Sequence, residues 1–274
     1  MKNILVPTDF SKTAQVSTEY AAHLAKSLNA KITLYHAFHV PAPVTGVPAI
    51  VVSPEEMEAE NMERLQAIAS DLNTKLGTHI NIECKSKIGF AVESITEESK
   101  SSDYSLIVMG IDGSSAIAEV LIGSSTTAVM RYSKIPLLAV PAGSTYKDIN
   151  HITFAWDLHD ISHPENLNAL FDIGRAHKSS MDIVHIVEKG KKDDVDVQKE
   201  TEHIKQFAKD YDFTFSVNES EDVVDGLNEC VDKFGSDLIA LIPQKHSFFE
   251  RLINEPSSKK MAFHTHVPLL TIPN

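Results

Sequence analysis

Cysteine is almost missing from this chain of 274 residues. Cys84 and Cys230 are far apart and belong to no CxxC or Cys/His spacing, so neither a disulfide framework nor a zinc site is expected. Basic charge is also scarce. Lys and Arg number 25 against 38 Asp and Glu, a formal net charge of −13. Residues 1–141 carry −4 of it (11 basic, 15 acidic) and residues 142–274 carry −9 (14 basic, 23 acidic). Such a surface repels nucleic-acid backbones and anionic lipids, so no nucleic acid and no membrane is expected as a partner. Long apolar runs are absent: none approaches the eighteen residues of a membrane span. The opening MKNILVPTDFSKT has a short apolar run before Pro7, too little for a secretory leader, so a cytoplasmic location is expected. Catalytic motifs are missing too. There is no P-loop, no GxSxG elbow and no HExxH, and groups such as HDISH (159–163) and HTH (264–266) are isolated. They read as solvated histidines, and neither catalytic residues nor a metal site are expected.

What is present is the composition of a soluble globular protein, 42% hydrophobic and 23% charged, at a length that suits two domains. NILVPTDF reads as a strand and turn, TAQVSTEYAAHLAKSLN as a helix with 3-to-4 apolar spacing, and KITLYHAF as a strand. Residues 151–187 repeat this plan with HITFAWDL, HPENLNALFDIGRAHKS and MDIVHIVE. Asp157 takes the place of Asp9, and His185 that of His36. The ends of the halves align without gaps at an offset of 132, pairing Leu106 with Leu238 and Pro136-Leu137-Leu138 with Pro268-Leu269-Leu270. The chain is a tandem duplication. Each half adds a charged helix (54–76, 194–210), a strand (79–86, 213–218) and a further helix (90–101, 221–234), giving β-α-β-α-β-α-β-α-β. Alternation of this kind predicts an α/β fold with a parallel sheet covered on both faces and ligands outside the carboxyl ends of its strands. The boundaries read as a domain over 1–141, a small polar linker over 142–149 and a second domain over 150–274. The loop 39–54 carries prolines at 41, 43, 48 and 54, which precludes a regular helix there.

Within VMGIDGSSAIAEVLIGSSTTAVM, glycines stand at 110, 113 and 123, and Ser124, Ser125 and Thr126 follow the last. Glycine allows backbone N–H groups to approach a phosphate, and a helix N-terminus supplies free donors. The same residues also suit a simpler role, in which Gly110 and Gly113 shape a strand exit and Ser124 caps a helix. The spacing Gly-x2-Gly-x9-Gly-Ser before KIPLLAVP resembles the nucleotide-binding signature of the universal stress protein family. ILVPTD, ITLYHAF and Gly89 resemble other parts of it, and residues 150–274 resemble it more weakly. The resemblance implies two tandem Rossmann-like domains, each a five-stranded parallel sheet of order 3-2-1-4-5 with helices on both faces. It also implies a site for an adenine nucleotide, ATP or AMP. Pro7 and Thr8 would border the ligand, Asp9 would hold the ribose or lie beside the adenine, and the backbone near His39 and Val40 would meet the adenine. Gly110, Ile111, Asp112, Gly113, Gly123, Ser124, Ser125 and Thr126 would lie along the phosphates. Without the resemblance, Asp9 reads equally as a turn or helix cap. The fifth strands, IPLLAV and VPLLTI, would join the halves as an intramolecular pseudo-dimer, and a homodimer of whole chains could form as well.

Two departures stand out. Asp112 puts a carboxylate between the first two glycines, where it would oppose phosphate unless it faces solvent or meets a Mg²⁺ arriving with ATP. In the second half Ile242, Lys245, Glu255 and Pro256 stand opposite Gly110, Gly113, Gly123 and Ser124, so no nucleotide is expected there, and Trp156, in the place of Thr8, could fill the adenine space. Three functions follow: a nucleotide-sensing stress protein whose second domain is structural or partner-binding, a scaffold of the same fold that binds no nucleotide, and a slow ATPase.

Overall fold

The computed structural model describes residues 3–40, 53–101, 103–111, 124–158, 161–190, 195–208, 211–243 and 267–274. The first half runs β1 (Asn3–Pro7), α1 (Lys12–Leu28), β2 (Lys31–Phe38), α2 (Pro54–Leu76), β3 (Ile82–Ile88), α3 (Ala91–Glu98), β4 (Leu106–Ile111), α4 (Ser124–Tyr132) and β5 (Leu137–Pro141). The second runs β6 (His151–Ala155), a 3-10 turn (Pro164–Asn166), α5 (Leu167–His177), β7 (Ser180–Glu188), α6 (Val197–Ala208), β8 (Thr214–Ser220), α7 (Val223–Phe234), β9 (Leu238–Leu241) and β10 (Leu269–Thr271). Local chemistry sets several ends. Ser11 caps α1 by accepting from the Ala14 N–H, and Ser53 with Glu56 forms a reciprocal capping box ahead of Pro54. Gly77 and Gly235 close α2 and α7 in the left-handed region.

The ten strands of the described residues form one sheet in the order β3-β2-β1-β4-β5-β10-β9-β6-β7-β8. Each half therefore has the 3-2-1-4-5 order. Neighbours within a half are parallel, whereas β5 and β10 pair antiparallel, with Leu138 opposite Leu270. Successive strand residues face opposite sides, and two apolar layers result. Ile4, Val6, Leu34 and Val108 pack with α1 and α2, in a cluster that continues without a break into Phe154, Trp156 and Ile204 of the second half. Leu5, Tyr35, Ile107 and Met109 face Ile95 of α3 and Val129 of α4 on the other side.

Segment 142–149 crosses the junction anchored by its own side chains. The Tyr146 ring stacks on His23 of α1 at 4.8 Å. Its hydroxyl lies 2.9 Å from Ser27 Oγ and 3.1 Å from His177 Nε2 of α5. The Ile149 N–H donates to His177 Nδ1, so in that arrangement the ring proton sits on Nε2. Lys147 pairs with Asp237 at 2.6 Å, and the same carboxylate accepts from the Asn150 and His151 N–H groups. No helix among the described residues is long and apolar enough to cross a membrane.

Candidate functional site

Strands β1 and β4 are neighbours, yet the chain leaves β1 toward β2 and reaches β4 only after β3. This reversal opens a crevice at their carboxyl ends. A cavity of about 360 Å³ lies there, within the range of small-ligand sites. Pro7 of β1, Tyr35 and Ala37 of β2, and Met109 and Gly110 of β4 form its base. Ala91 and Ile95 of α3 wall one side, and Ser124, Ser125 and Thr126 open α4 on the other. Thr8, Asp9, Ser11, Thr13 and Ala14 complete the described lining from the β1–α1 turn.

That turn is held by its own side chains. Thr8 Oγ1 accepts from the Phe10 N–H at 3.1 Å, and Asp9 Oδ1 accepts from the Ser11 N–H at 2.9 Å. The Thr8 N–H donates to the Tyr35 carbonyl at 2.9 Å, and His36 Nδ1 lies 2.7 Å from the Thr8 carbonyl oxygen. Phe10 takes φ = 65°, a left-handed conformation that costs a bulky residue on the order of 1–3 kcal/mol. The Arg64 guanidinium 3.8 Å above its ring and the His36 ring 4.4 Å away offset that cost. Asp9 is thus a turn-former with one oxygen committed to Ser11, and it is exposed.

Gly110 lies inside β4. A Cβ there would meet both Thr13 Cγ2 and the Thr13 carbonyl oxygen at 2.7 Å, so this glycine lets the first turn of α1 sit directly on the strand. The Thr126 hydroxyl donates to the Gly110 carbonyl at 2.8 Å and ties the start of α4 to the same point. The first-turn N–H groups of α4 have no intrahelical acceptor, and Ser124 and Ser125 are exposed beside them. That end of the cavity is polar and offers donors to an anion. The β2–α3 end is apolar except for the Tyr35 hydroxyl. This group is buried, with no partner in full hydrogen-bond geometry among the described residues, and burial, reinforced by the Glu98 charge and partly countered by the Ser94 hydroxyl, pushes its phenol above the ordinary tyrosine range.

Of the sequence-predicted residues, Pro7, Thr8, Asp9, Gly110, Ser124, Ser125 and Thr126 come together around the cavity, and Ile111 follows Gly110 as a buried end of β4. Asp112, Gly113 and Gly123 lie outside the described residues. His39 and Val40 stand past the end of β2, exposed, with the His39 ring stacked 6.2 Å from Phe90, and neither lines the cavity. Ala37, two residues earlier, does. The sequence reading missed Ser11, Thr13 and Ala14 of the β1–α1 turn, Ala91 and Ile95 of α3, and Tyr35, Ala37 and Met109 of the strands. The signal for the strand residues was the period of two in KITLYHAF and LIVMGI, which puts Tyr35 with Ala37, and Ile107 with Met109, on one face.

Trp156 does not occupy a base pocket in the second half. It is buried in the layer that holds Ile204, with its ring 5.7 Å from His203 of α6.

The sequence model of the Universal stress protein family matches residues 1–141. The chain belongs to the universal stress protein family. Two relatives in Methanocaldococcus jannaschii, universal stress proteins MJ0531 and MJ0577, are each 26% identical, over 145 and 152 residues. Each alignment spans 51% of this chain, with 81% of MJ0531 and 94% of MJ0577 covered. A solved universal stress protein from Archaeoglobus fulgidus DSM 4304 superposes with a TM-score of 0.75 over 99% of this chain and 98% of its own. At 18% identity that likeness speaks to the fold, which is a tandem of two universal stress protein folds.

Proposed function

We propose that this universal stress protein binds one adenine nucleotide, ATP or AMP, in the cavity between β1 and β4, and acts as a nucleotide-responsive stress protein. The observation that carries this reading is the polarity of a cavity of about 360 Å³. At one end stand the start of α4 and its hydroxyl residues, suited to phosphate; at the other stand Ala37, Ala91 and Ile95, suited to a flat apolar base. The span crosses from β2 over β1 to β4, two strand spacings or about 10 Å, a distance a nucleoside phosphate bridges. Asp9 is the single carboxylate among the described lining residues, and its bond to Ser11 suits it to shaping the turn rather than to taking a proton. The reading is therefore of a binding protein and not of an ATPase. The second half, in which Ile242 takes the place of Gly110, serves structure or partners, and the β5–β10 junction makes the tandem chain a self-contained pseudo-dimer.

A scaffold without nucleotide is the second reading, favoured by one observation: the contact with Thr13 already accounts for Gly110. Calorimetric titration with AMP and with ATP plus Mg²⁺ separates the two. The first reading expects one site per chain. Asp112→Asn should raise ATP affinity more than AMP affinity if that carboxylate faces the phosphates, because ATP brings more negative charge. No binding of either nucleotide at millimolar concentration, by wild type or variant, refutes the nucleotide reading and leaves the scaffold.

A further inference from the structure

Segment 142–149 meets α5 through one ring that can take up charge. The His177 side chain is 3% exposed, with Nε2 3.1 Å from the Tyr146 hydroxyl and Nδ1 accepting from the Ile149 N–H at 3.4 Å. A ring that accepts at Nδ1 carries its single proton on Nε2. A second proton must go to Nδ1, where it removes the acceptor of Ile149 and sets two N–H groups against each other. Asp148 Oδ1 lies 3.7 Å from the same nitrogen. The two alternatives for Nδ1 are therefore neighbours in the chain: the backbone of 149 for the neutral ring and the carboxylate of 148 for the charged one.

The other charged groups of the described residues around this ring are committed or one layer away. Lys147 is turned to Asp237. On α5, Arg175 is turned to Asp172 and the Ala208 carbonyl, and Lys178 follows His177 as the helix cap. On α1, His23 stacks on Tyr146, with Glu19 and Lys26 a turn to either side. The phenols of Tyr20 and Tyr146 stay neutral, because burial raises them. A charged His23 keeps its place, since a cation is attracted to an aromatic face.

We propose that His177 is a pH-operated switch at the junction of the halves: its second proton moves Nδ1 from the Ile149 N–H to Asp148 and re-sets residues 146–149 against α5. Tyr146 is held to α1 by Ser27 and His23, so the change reaches both halves. The device is separate from the cavity between β1 and β4, whose described lining includes none of these residues.

NMR of the full chain from about pH 8 to about pH 5 tests it. Ring nitrogen shifts report the tautomer and the His177 midpoint, and the Ile149 amide reports the junction. The neutral ring is expected in its Nε2–H form. Its midpoint should lie below about 6.5, because burial disfavours the charge, and the Ile149 amide should shift with that midpoint. In Asp148→Asn, a substitution at an 83% exposed side chain, the charged ring loses its partner. The midpoint should fall further and the Ile149 step should follow it. A neutral Nδ1–H form, an Ile149 amide that stays still or titrates apart from His177, or a midpoint that Asp148→Asn leaves unmoved overturns the switch. Unfolding of the chain before His177 takes up its proton overturns it as well, because the change then belongs to unfolding and not to the junction.

Discussion

Replacing Gly110 by alanine tests whether this glycine is present for helix packing. The new Cβ would lie 2.7 Å from both Thr13 Cγ2 and the Thr13 carbonyl oxygen, and 3.1 Å from the carbonyl carbon, against about 3.5–4.0 Å for an unstrained carbon contact. The methyl can move away by rotation. The carbonyl cannot, because it belongs to the first turn of α1, and that turn is pinned by Ser11 to Ala14 and by Asp9 to Ser11. Relief therefore requires α1 to lift from the sheet by several tenths of an ångström. Overpacking of this kind costs about 1–3 kcal/mol, from which reduced freedom of the unfolded chain returns about 0.4–1 kcal/mol. A net loss of about 1–2 kcal/mol is expected, or a fall in melting temperature of roughly 2–8 °C for a protein of this size. Melting followed by far-UV circular dichroism measures it. Adding Thr13→Ala removes Cγ2 but not the carbonyl, so the double variant should recover only part of the loss. An unchanged melting temperature for Gly110→Ala, or full recovery in the double variant, would refute the packing account and return Gly110 to a purely ligand-facing role.

Other consequences follow from the junction and the site. Leu270 of β10 is fully buried opposite Leu138 of β5, so Leu270→Ala should cost about 2–5 kcal/mol in urea unfolding; a loss below 1 kcal/mol would mean the junction contributes little to stability. His177 has a side chain only 3% exposed. Burial lowers its pKa and nearby Asp148 only partly counters this, and burial lowers His23 as well. Because the folded pKa is depressed, the stability tied to His177 is present above about pH 6.5, the unfolded value, and is lost as pH falls through the folded pKa. His177→Gln should flatten that acid limb of a stability–pH curve, and an unaltered limb would assign it to other groups. Titration with nucleotide should give one site per chain, and two equivalent sites would contradict the loss of the glycines from the second half.

Much of the frame was legible because its signals are local. The whole of β2 was bounded in KITLYHAF by a lysine at one edge and a polar, proline-rich stretch at the other, and the tandem order followed from the offset between two apolar ends. The left-handed turn residues were not legible. Phe10 and Leu158 take φ of 65° and 63° at matching places after Asp9 and Asp157, and neither residue type announces such a conformation. It is imposed by Thr8, Asp9 and the strand on either side. The cavity wall was only half legible. Asp9 and the Ser-Ser-Thr group carry chemistry that can be read from their residue types. Ala37 and Tyr35 look like ordinary strand residues, and only the juxtaposition of β2 with α3 turns them into lining. His39 and Val40, which the family resemblance set beside the adenine, stand past the end of β2 and outside the described lining.

The second half keeps the frame but has isoleucine where the first has Gly110, and the difference can be traced to where its first helix begins. The Trp156 N–H donates to the Val184 carbonyl, and His185 Nδ1 lies 3.0 Å from the Trp156 carbonyl oxygen. This reproduces the bonds of Thr8 and His36 around the first turn. Both halves therefore fix the same strand exit. After it, α1 starts at Lys12, three residues beyond Asp9, whereas α5 starts at Leu167, ten beyond Asp157, after a 3-10 turn. An early start presses the first turn of α1 onto β4 and makes glycine necessary at 110. A late start removes that requirement, and at the corresponding place Ile242 is accommodated, 7% exposed, as part of the apolar core. The position that admits a backbone approach in one half is filled by a side chain in the other. At this one place the backbone is bare in the first half alone, while the hydrogen bonds that hold the turn, which serve folding in both halves, persist in each.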